Sequence, residues 1–292
     1  MVKVIDRLVT LRNGVKMPLV GLGTYKITGE ECKTAIPEAV KCGYKLIDTA
    51  TIYRNEEAIG EVLSLFLKSN SVKRESLFLE SKLATFDQGY ESTLKAVEVS
   101  CRKLQTNYID LYIIHWPGAA KLDPKDVKNA ELRRDSWRAL EELYEKGTVK
   151  AIGVSNYTEA HLEEMKSYAK VLPMVNQIEL HPLYYPRDTV KWCRDHGVIV
   201  QAYSSLARGE FTKRPELLEP IMAKYKDKSI AQILLKWAIQ HDFCVIPKSV
   251  TPARIKENAE LDFELDEDSV NYLDSISLQE TVKTCWDPVT VR

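Results

Sequence analysis

The chain has 292 residues, 45% of them hydrophobic and 28% charged, and its 41 basic residues nearly balance 42 acidic ones. The formal net charge of −1 leaves no excess of positive charge to neutralise a phosphate backbone, which argues against nucleic acid as a main partner. No apolar run approaches the roughly 20 residues of a membrane span, and the N-terminal stretch has no uninterrupted apolar core of a signal peptide.

The cysteines show no pairing pattern. The six residues, Cys32, Cys42, Cys101, Cys193, Cys244 and Cys285, include no C-x-x-C spacing and no histidine partner at a zinc spacing. In a chain of this length, scattered thiols are typical of a reduced, intracellular protein. We therefore expect a cytoplasmic protein without a disulfide framework and without a metal.

The first predicted element is a β-hairpin. Two short alternating runs, Arg7–Leu11 and Lys16–Leu19, flank Asn13-Gly14, a pair that favours a type I′ turn.

Short β-branched runs then alternate with longer segments of helical period. The predicted strands are Leu19–Gly23, Leu46–Asp48, Leu77–Ser81, Leu111–His115, Ala151–Ser155, Met174–Glu179, Val198–Ala202 and Phe243–Pro247. Helical patterns lie between them, including Glu91–Leu104, Leu132–Lys146 and Ile230–Gln240. Asn55 stands where it can cap a helix, and Gly147 and Gly197 stand where helices should end.

Eight strand–helix units with apolar strands predict parallel strands that are buried on both faces. This pattern indicates an α/β fold, a (β/α)8 barrel with an N-terminal β-hairpin, in which residues 1–292 form a single domain. The main alternative is a doubly wound sheet, which usually carries G-x-G-x-x-G after its first strand. Here Thr24 directly follows Gly21-Leu-Gly23, and the rest of that fingerprint is absent.

Polar side chains follow three consecutive predicted strands, at the rim where such barrels carry their chemistry. Asp48 ends the second strand with Tyr53 in the loop beyond it, Lys82 follows the third, and His115 ends the fourth. Each residue alone could be a loop cap, a rim aromatic, a surface lysine or a core histidine. Together they suit acid catalysis, because an ammonium lowers the pKa of a neighbouring phenol and a carboxylate can hold the ammonium in place.

These residues and their surroundings resemble the aldo-keto reductase family, from about Leu8 to Trp286. The motifs that carry the resemblance are Gly21–Thr24, Asp48–Ala50 with Tyr53–Glu56, Ser81–Leu83, Ile114–Pro117, Gly153–Asn156, Asn176–Pro182, Ala202–Ser204 and Ile246–Ser249. The segment after Leu206 is short, as in the compact members of that family.

The resemblance implies reduction of an aldehyde or ketone by hydride from NADPH. Tyr53 is then the general acid, Lys82 and Asp48 tune it, and His115 orients the carbonyl and donates to its oxygen. Neither a metal nor a covalent intermediate is required, because the nicotinamide supplies the redox chemistry.

The resemblance also assigns cofactor contacts. Ser155, Asn156 and Gln177 would hydrogen-bond the carboxamide, and Tyr203 would stack on the nicotinamide ring. The other implied contacts are Thr24, Asp48, Ser204 and Leu206, with Lys248, Ser249 and Arg254 for the 2′-phosphate and Glu257 and Asn258 for the adenine.

The phosphate end also has a physical argument in its favour. Thr251 as cap and Pro252 as first residue predict a helix that starts between Lys248 and Arg254. A helix N-terminus beside two cations favours an anion, so we expect NADPH in preference to NADH.

The expected substrate is a small-molecule carbonyl compound in an apolar, aromatic pocket. The residues expected to line it are Tyr25, Tyr53, Phe86, His115, Trp116 and Trp286. Small aliphatic or aromatic aldehydes are the expected class, with keto esters, quinones, sugars and prostanoids open. His115 argues against the related steroid double-bond reducers, which carry Glu at this position. A monomer is expected, because one rim holds the whole site.

Two other functions stay open. A barrel of this kind could be a non-catalytic NADPH-binding structural or regulatory protein, although a scaffold has no need for all four polar residues. It could also be an aldolase or isomerase that forms a Schiff base on Lys82. That chemistry would leave Tyr53 and the rim amides without a role.

Overall fold

The computed structural model describes residues 2–292 and contains a barrel of parallel strands preceded by a hairpin. Strands β1 (Leu8–Thr10) and β2 (Lys16–Pro18) pair in antiparallel fashion. The barrel strands are β3 (Gly21–Gly23), β4 (Leu46–Asp48), β5 (Phe78–Leu83), β6 (Leu111–Ile114), β7 (Ile152–Ser155), β8 (Val175–Glu179), β9 (Ile199–Tyr203) and β10 (Cys244–Val245).

Each barrel strand pairs in parallel with the next one along the chain. Two isolated parallel bridges, Val20 with Val245 and Gly23 with Lys248, join the first strand region to the last. The predicted eight-stranded barrel is therefore confirmed, and the doubly wound alternative is wrong.

Helices connect successive barrel strands. They are α1 (Gly29–Lys41), α2 (Glu56–Lys68), α3 (Tyr90–Lys103), α4 (Lys128–Glu145), α5 (Glu159–Met165), α6 (Arg187–Asp195), α7 (Glu210–Lys213), α8 (Glu219–Lys224), α9 (Ile230–Gln240), α10 (Pro252–Glu257) and α11 (Glu267–Gln279). Capping boxes start α1 at Thr28 and α9 at Ser229, where the side chains at the N-cap and N3 exchange hydrogen bonds with the backbone. Among residues 2–292, no helix combines the length and the apolar character that crossing a bilayer requires.

Two local predictions are wrong. Asn13-Gly14 does not form a type I′ turn, because only Gly14 has a positive φ (+88°) and the backbone N–H of Gly14 donates to the carbonyl of Leu11. This is the three-residue alternative, a type I turn followed by a left-handed glycine. Asn55 precedes α2, but its side chain does not cap that helix. It donates instead to the carbonyls of Thr24 and Ile27.

The strands from β3 to β8 are buried at every residue. Helices cover the outer face and side chains fill the interior, as expected for a parallel barrel. Several of the buried residues are nevertheless polar or charged, among them Asp48, Glu80, Lys82 and Gln177. Because an unpaired buried charge is costly, these side chains must satisfy one another inside the barrel.

Close packing of α2 on the end of α3 gives a stability prediction. A Cβ added at Gly60 would lie 2.1 Å from the carbonyl oxygen of Lys103 and 2.8 Å from the Cα of Leu104. Gly60→Ala should therefore push the two helices apart and lower the free energy of unfolding by about 1–3 kcal/mol, measured by denaturant titration.

Gly29→Ala in α1 is the matched control, because its new Cβ would meet only the Cβ of Ala58 at 3.5 Å, an ordinary contact. Alanine favours a helix over glycine, so this variant should be neutral or slightly stabilised. Equal stability of the two variants would contradict the packing argument.

Candidate active site

A buried ion pair lies between two neighbouring barrel strands. Lys82 on β5 donates from its Nζ to Asp48 Oδ1 at the end of β4, and to the carbonyl oxygen of Thr49 at 2.8 Å. Burial lowers the pKa of Lys82, but the negative charge of Asp48, with contributions from Tyr53 and Glu80, leaves that pKa above its ordinary value. The ammonium therefore stays charged in the interior of the protein.

Tyr53 is brought to this pair by a single 3-10 turn, Thr51–Tyr53, that follows β4. Thr51 fixes the turn by donating from Oγ1 to the carbonyl oxygen of Lys82 at 3.0 Å. Lys82 Nζ lies 5.0 Å from the centroid of the Tyr53 ring, and the His115 ring meets that ring edge-on at a centroid distance of 5.7 Å. The four residues predicted at the strand ends thus converge on one side of the barrel mouth.

Burial and charge act in opposite directions on the pKa of Tyr53. Burial raises the pKa of Tyr53 to about 12, and the charge of Lys82 only partly opposes this effect. The negative charges of Asp48 and Glu80 raise it further. The expected lowering of this pKa by Lys82 is present, but burial outweighs it. Tyr53 is therefore a protonated phenol at neutral pH.

His115 is neutral in this environment. Burial, with the positive charge of Lys82, holds the pKa of the imidazole well below its ordinary value of 6.5. A neutral imidazole carries one N–H donor and one acceptor nitrogen. His115 can therefore donate a hydrogen bond to a substrate oxygen without bringing a second positive charge to Lys82.

A layer of amides and a second carboxyl group lies on the interior side of the ion pair. The Nε2 atom of Gln177 is 2.9 Å from Asp48 Oδ1, 2.7 Å from Glu80 Oε1 and 2.8 Å from Gln201 Oε1. The Nε2 atom of Gln201 donates to Glu80 Oε2 at 2.8 Å. Sequence reasoning missed Glu80 and Gln201. Glu80 could have been found because alternate residues of a strand share a face, which places it on the side of Lys82.

The residues predicted to bind the carboxamide lie together at the ends of β7, β8 and β9. Ser155 donates from Oγ to the carbonyl oxygen of Gln177 at 2.7 Å, and Asn156 donates from Nδ2 to the carbonyl oxygen of His115 at 2.9 Å. The Tyr203 hydroxyl donates to Asn156 Oδ1 at 2.6 Å. Asn156 and Ser204 both have positive φ values, +64° and +52°. Such uncommon backbone conformations cluster at functional sites.

The predicted phosphate contacts lie on the other side of the mouth, after β10. Lys248 and Arg254 are exposed, and within residues 2–292 neither makes an ion pair. Pro252 is the first residue of α10 as predicted, but the Thr251 side chain makes no capping bond. Ser249 Oγ accepts instead from the backbone N–H of Thr251 at 3.1 Å. Of the other predicted contacts, Thr24, Ser249 and Asn258 are buried, and Leu206 and Glu257 are partly buried.

Aromatic side chains predicted for the substrate pocket form two pairs and include three exposed rings. The Tyr25 ring lies 5.2 Å from that of Tyr53, and the Trp116 ring lies 5.1 Å from that of Trp286. Tyr25, Phe86 and Trp286 are 45%, 61% and 59% exposed. Phe86 makes no aromatic contact with the other rings within the described part of the chain. Large exposed apolar side chains at one site mark a binding surface.

A buried carboxylate that sequence reasoning also missed holds the segment just before Trp286. Glu179, the last residue of β8, accepts from the backbone N–H groups of Thr284 at 2.6 Å and Cys285 at 3.0 Å, and from His181 Nε2 at 3.1 Å. Burial raises the pKa of Glu179, but the hydrogen bonds from His181 and Thr284 outweigh it and lower that pKa to about 2. The stability that this carboxylate contributes is complete above its unfolded pKa near 4 and is lost as the pH falls through 2.

Comparisons with known proteins agree on one family. Residues 19–278 match the aldo/keto reductase family. Glyoxal reductase from Bacillus subtilis (strain 168) is 43% identical over 276 residues, 94% of each chain. The 9,11-endoperoxide prostaglandin H2 reductase of Trypanosoma cruzi (strain CL Brener) is 42% identical over 92% of this chain and 91% of its own. A solved aldo/keto reductase from Brucella melitensis superposes with a TM-score of 0.83 at 41% identity, over 92% of this chain and 99% of that chain.

The Glu179 contacts predict how the segment that carries Trp286 is held. In Glu179→Gln, the amide protons of Thr284 and Cys285 should exchange with solvent at least about tenfold faster, because a hydrogen bond to a charged group contributes about 1.5–3 kcal/mol. Hydrogen exchange read by mass spectrometry or NMR measures this directly. Exposed Glu216→Gln is the control and should leave both amides unchanged. Unchanged exchange in Glu179→Gln would show that other contacts hold the segment.

Proposed function

Because the chain belongs to the aldo-keto reductase family, we propose that it catalyses the NADPH-dependent reduction of aldehydes and ketones to alcohols, with Tyr53 as the general acid. The observation that carries the proposal is the convergence of Tyr53, Lys82 and His115 at the barrel mouth, with Asp48 paired to Lys82 beneath them. Other members of the family share the fold, but the reaction is argued from these four side chains.

The side chains divide the chemistry of the carbonyl oxygen between them. Tyr53 donates its phenolic proton as negative charge develops on that oxygen, and His115 donates a second hydrogen bond. Lys82 stabilises the phenolate that Tyr53 leaves behind, since its ammonium lies 5.0 Å from the ring centroid. Asp48 holds Lys82 in place through the buried ion pair.

The residues at the mouth fit a nicotinamide dinucleotide phosphate. Lys248 and Arg254 are exposed cations without an ion-pair partner among residues 2–292, which suits a phosphate on the adenosine ribose. Asn156, Ser155 and Gln177 would hold the carboxamide, and Tyr203 would lie against the nicotinamide. When bound, NADPH supplies the hydride. The further contacts are Thr24, Asp48, Ser204, Leu206, Ser249, Glu257 and Asn258.

The two other functions have weaker support. A Schiff base requires an uncharged lysine, whereas Lys82 is fully buried and paired with Asp48, and its pKa is raised. A purely structural protein has no need for a buried ion pair beside an exposed aromatic pocket. Reduction of a carbonyl compound accounts for both features.

Small aldehydes and dicarbonyl compounds are the proposed substrates. Tyr25 packs against Tyr53, Trp116 follows His115 and packs against Trp286, and Tyr25, Phe86 and Trp286 are exposed to solvent. The similarity of the chain to glyoxal reductase supports a small carbonyl substrate. A monomer would suffice, because one chain supplies every residue named, and the cytoplasmic location stays a prediction.

Replacement of Tyr53 tests the proposed reaction. Tyr53→Phe removes the proton donor and keeps the ring, so turnover of glyoxal or benzaldehyde should fall about 10²–10⁴-fold. NADPH binding, followed by quenching of tryptophan fluorescence, should be unchanged. NADPH consumption by wild type and variant side by side gives the comparison.

Other outcomes of this experiment contradict the proposal. Wild-type binding of NADPH without turnover on any carbonyl would favour a structural or regulatory role. Equal turnover in wild type and Tyr53→Phe would remove Tyr53 as the acid. Trapping of substrate on Lys82 by borohydride would support the Schiff-base enzyme.

The two exposed cations predict the cofactor preference. Lys248→Met together with Arg254→Leu should raise the KM for NADPH at least about thirtyfold, because losing the contacts between these cations and the phosphate costs about 2 kcal/mol or more in total. The KM for NADH should change little, since NADH lacks the 2′-phosphate. Lys256→Met, an exposed cation on the same helix, is the control. Equal losses for both cofactors would contradict the assignment.

A further inference from the structure

Glu80 is a carboxyl group in the barrel interior that the proposed reaction does not use. It lies on β5 two residues before Lys82, is fully buried, and stands opposite Asp48 in the register of β4 and β5. Its two oxygens accept only from the side-chain amides of Gln177 and Gln201, at 2.7 and 2.8 Å. No cation of residues 2–292 lies within ion-pair distance of it.

The interior therefore holds two carboxyl groups and one ammonium. Lys82 is paired with Asp48, and the Nε2 atom of Gln177 touches both carboxyl groups. Two ionised carboxylates at one dry site repel each other, and one of them keeps a proton to a higher pH. Asp48 has the ammonium as its partner, so Glu80 is the group that holds the proton.

We propose that Glu80 is a positioning residue that exchanges a proton with solvent as the pH changes and thereby sets, through Asp48 and Lys82, how tightly Tyr53 holds its own proton. The inference rests on the proposed role of Tyr53 as acid. Two properties of the site agree with it: burial and the charge of Asp48 raise the pKa of Glu80 to about 8, and Glu80 raises the pKa of Tyr53.

The groups around Glu80 leave it as the one that titrates near neutral pH. The side chains of β8 and β9 that contact Glu80 are the amides of Gln177 and Gln201, and the Tyr112 hydroxyl on β6 faces Ser100 on α3 instead. Burial raises the pKa of the Cys244 thiol on β10, so that thiol stays neutral. The titratable and charged groups that face Glu80 are Asp48 on β4, Lys82 on β5, Tyr53 beyond β4 and Cys244 on β10.

The sign of the effect follows from the charges. Neutral Glu80 adds no charge to the site, whereas ionised Glu80 adds a negative charge that raises the pKa of Tyr53 and so makes its phenolate scarcer. Reduction needs protonated Tyr53, whereas alcohol oxidation by the same site needs the phenolate as base. Ionised Glu80 therefore suppresses the oxidative direction at alkaline pH and keeps Tyr53 protonated for reduction.

Glu80→Gln tests the inference, because an amide has the shape of the protonated carboxyl and cannot ionise. The rate of benzyl alcohol oxidation with NADP⁺ is compared between variant and wild type from pH 6 to pH 10. The rate of the variant divided by that of wild type should be near one below pH 7 and rise to roughly tenfold above pH 9. The reason is that one added negative charge at this distance shifts the pKa of Tyr53 by about one unit.

A merely structural role would give a ratio that does not change with pH, and that result would overturn the proposal. Gln201→Leu is the second variant, in which Glu80 remains but loses one amide donor to its ionised form. The pH at which oxidation is suppressed should then move upward in this variant. An unchanged pH profile would also contradict the proposal.

A measurement without turnover separates this inference from the proposed function. The infrared carbonyl stretch of a protonated carboxyl should be present in wild type at pH 6, titrate away near pH 8, and be missing from Glu80→Gln. Loss of that band far below pH 7 would overturn the inference whatever the enzyme's activity. Its presence in a protein that reduces no carbonyl would leave Glu80 protonated and contradict the proposed function alone.

Discussion

The ion pair between Lys82 and Asp48 is the constraint around which the rest of the site is arranged. Lys82 is fully buried and paired with the carboxylate of Asp48. Removal of either partner would leave the other as an uncompensated buried charge, which is strongly destabilising. The 3-10 turn after β4 then brings Tyr53 to within reach of the ammonium. The field of Lys82 also contributes to keeping His115 neutral. Burial keeps Tyr53 protonated and His115 neutral, and the charge of Lys82 acts on both groups.

The barrel and its main site residues could be predicted from the sequence for a physical reason. Parallel strands buried on both faces give continuous apolar runs, and active-site residues follow those runs at the carboxyl ends. Asp48, Lys82 and His115 are therefore visible as polar interruptions at the strand ends. Local backbone chemistry was less predictable: Asn13-Gly14 and Asn55 each have more than one favourable hydrogen-bonding geometry, and tertiary contacts select between them.

Residues whose role depends on contacts across the barrel could not be identified from their local sequence. Glu80 interrupts an apolar strand, but its environment depends on hydrogen bonds from Gln177 and Gln201, which are 97 and 121 residues away along the chain. From the sequence, Glu179 is only the last residue of a predicted strand. Its role becomes visible from its hydrogen bond with Thr284, 105 residues away along the chain. The raised pKa of Tyr53 likewise depends on its three-dimensional surroundings, because burial outweighs the charge of Lys82.

The hydrogen bonds between Glu179 and the backbone of Thr284 and Cys285 join two parts of the chain that can vary independently in sequence. The residues proposed to handle protons all belong to the first four barrel strands and their loops, whereas the segment that carries Trp286 is attached to β8 by one carboxylate. Sequence changes in the attached segment can alter the surface around Trp286 while the electrostatics around Tyr53 stay as they are. Under the proposed function, a barrel organised in this way can change its substrates through one short segment and keep the same acid.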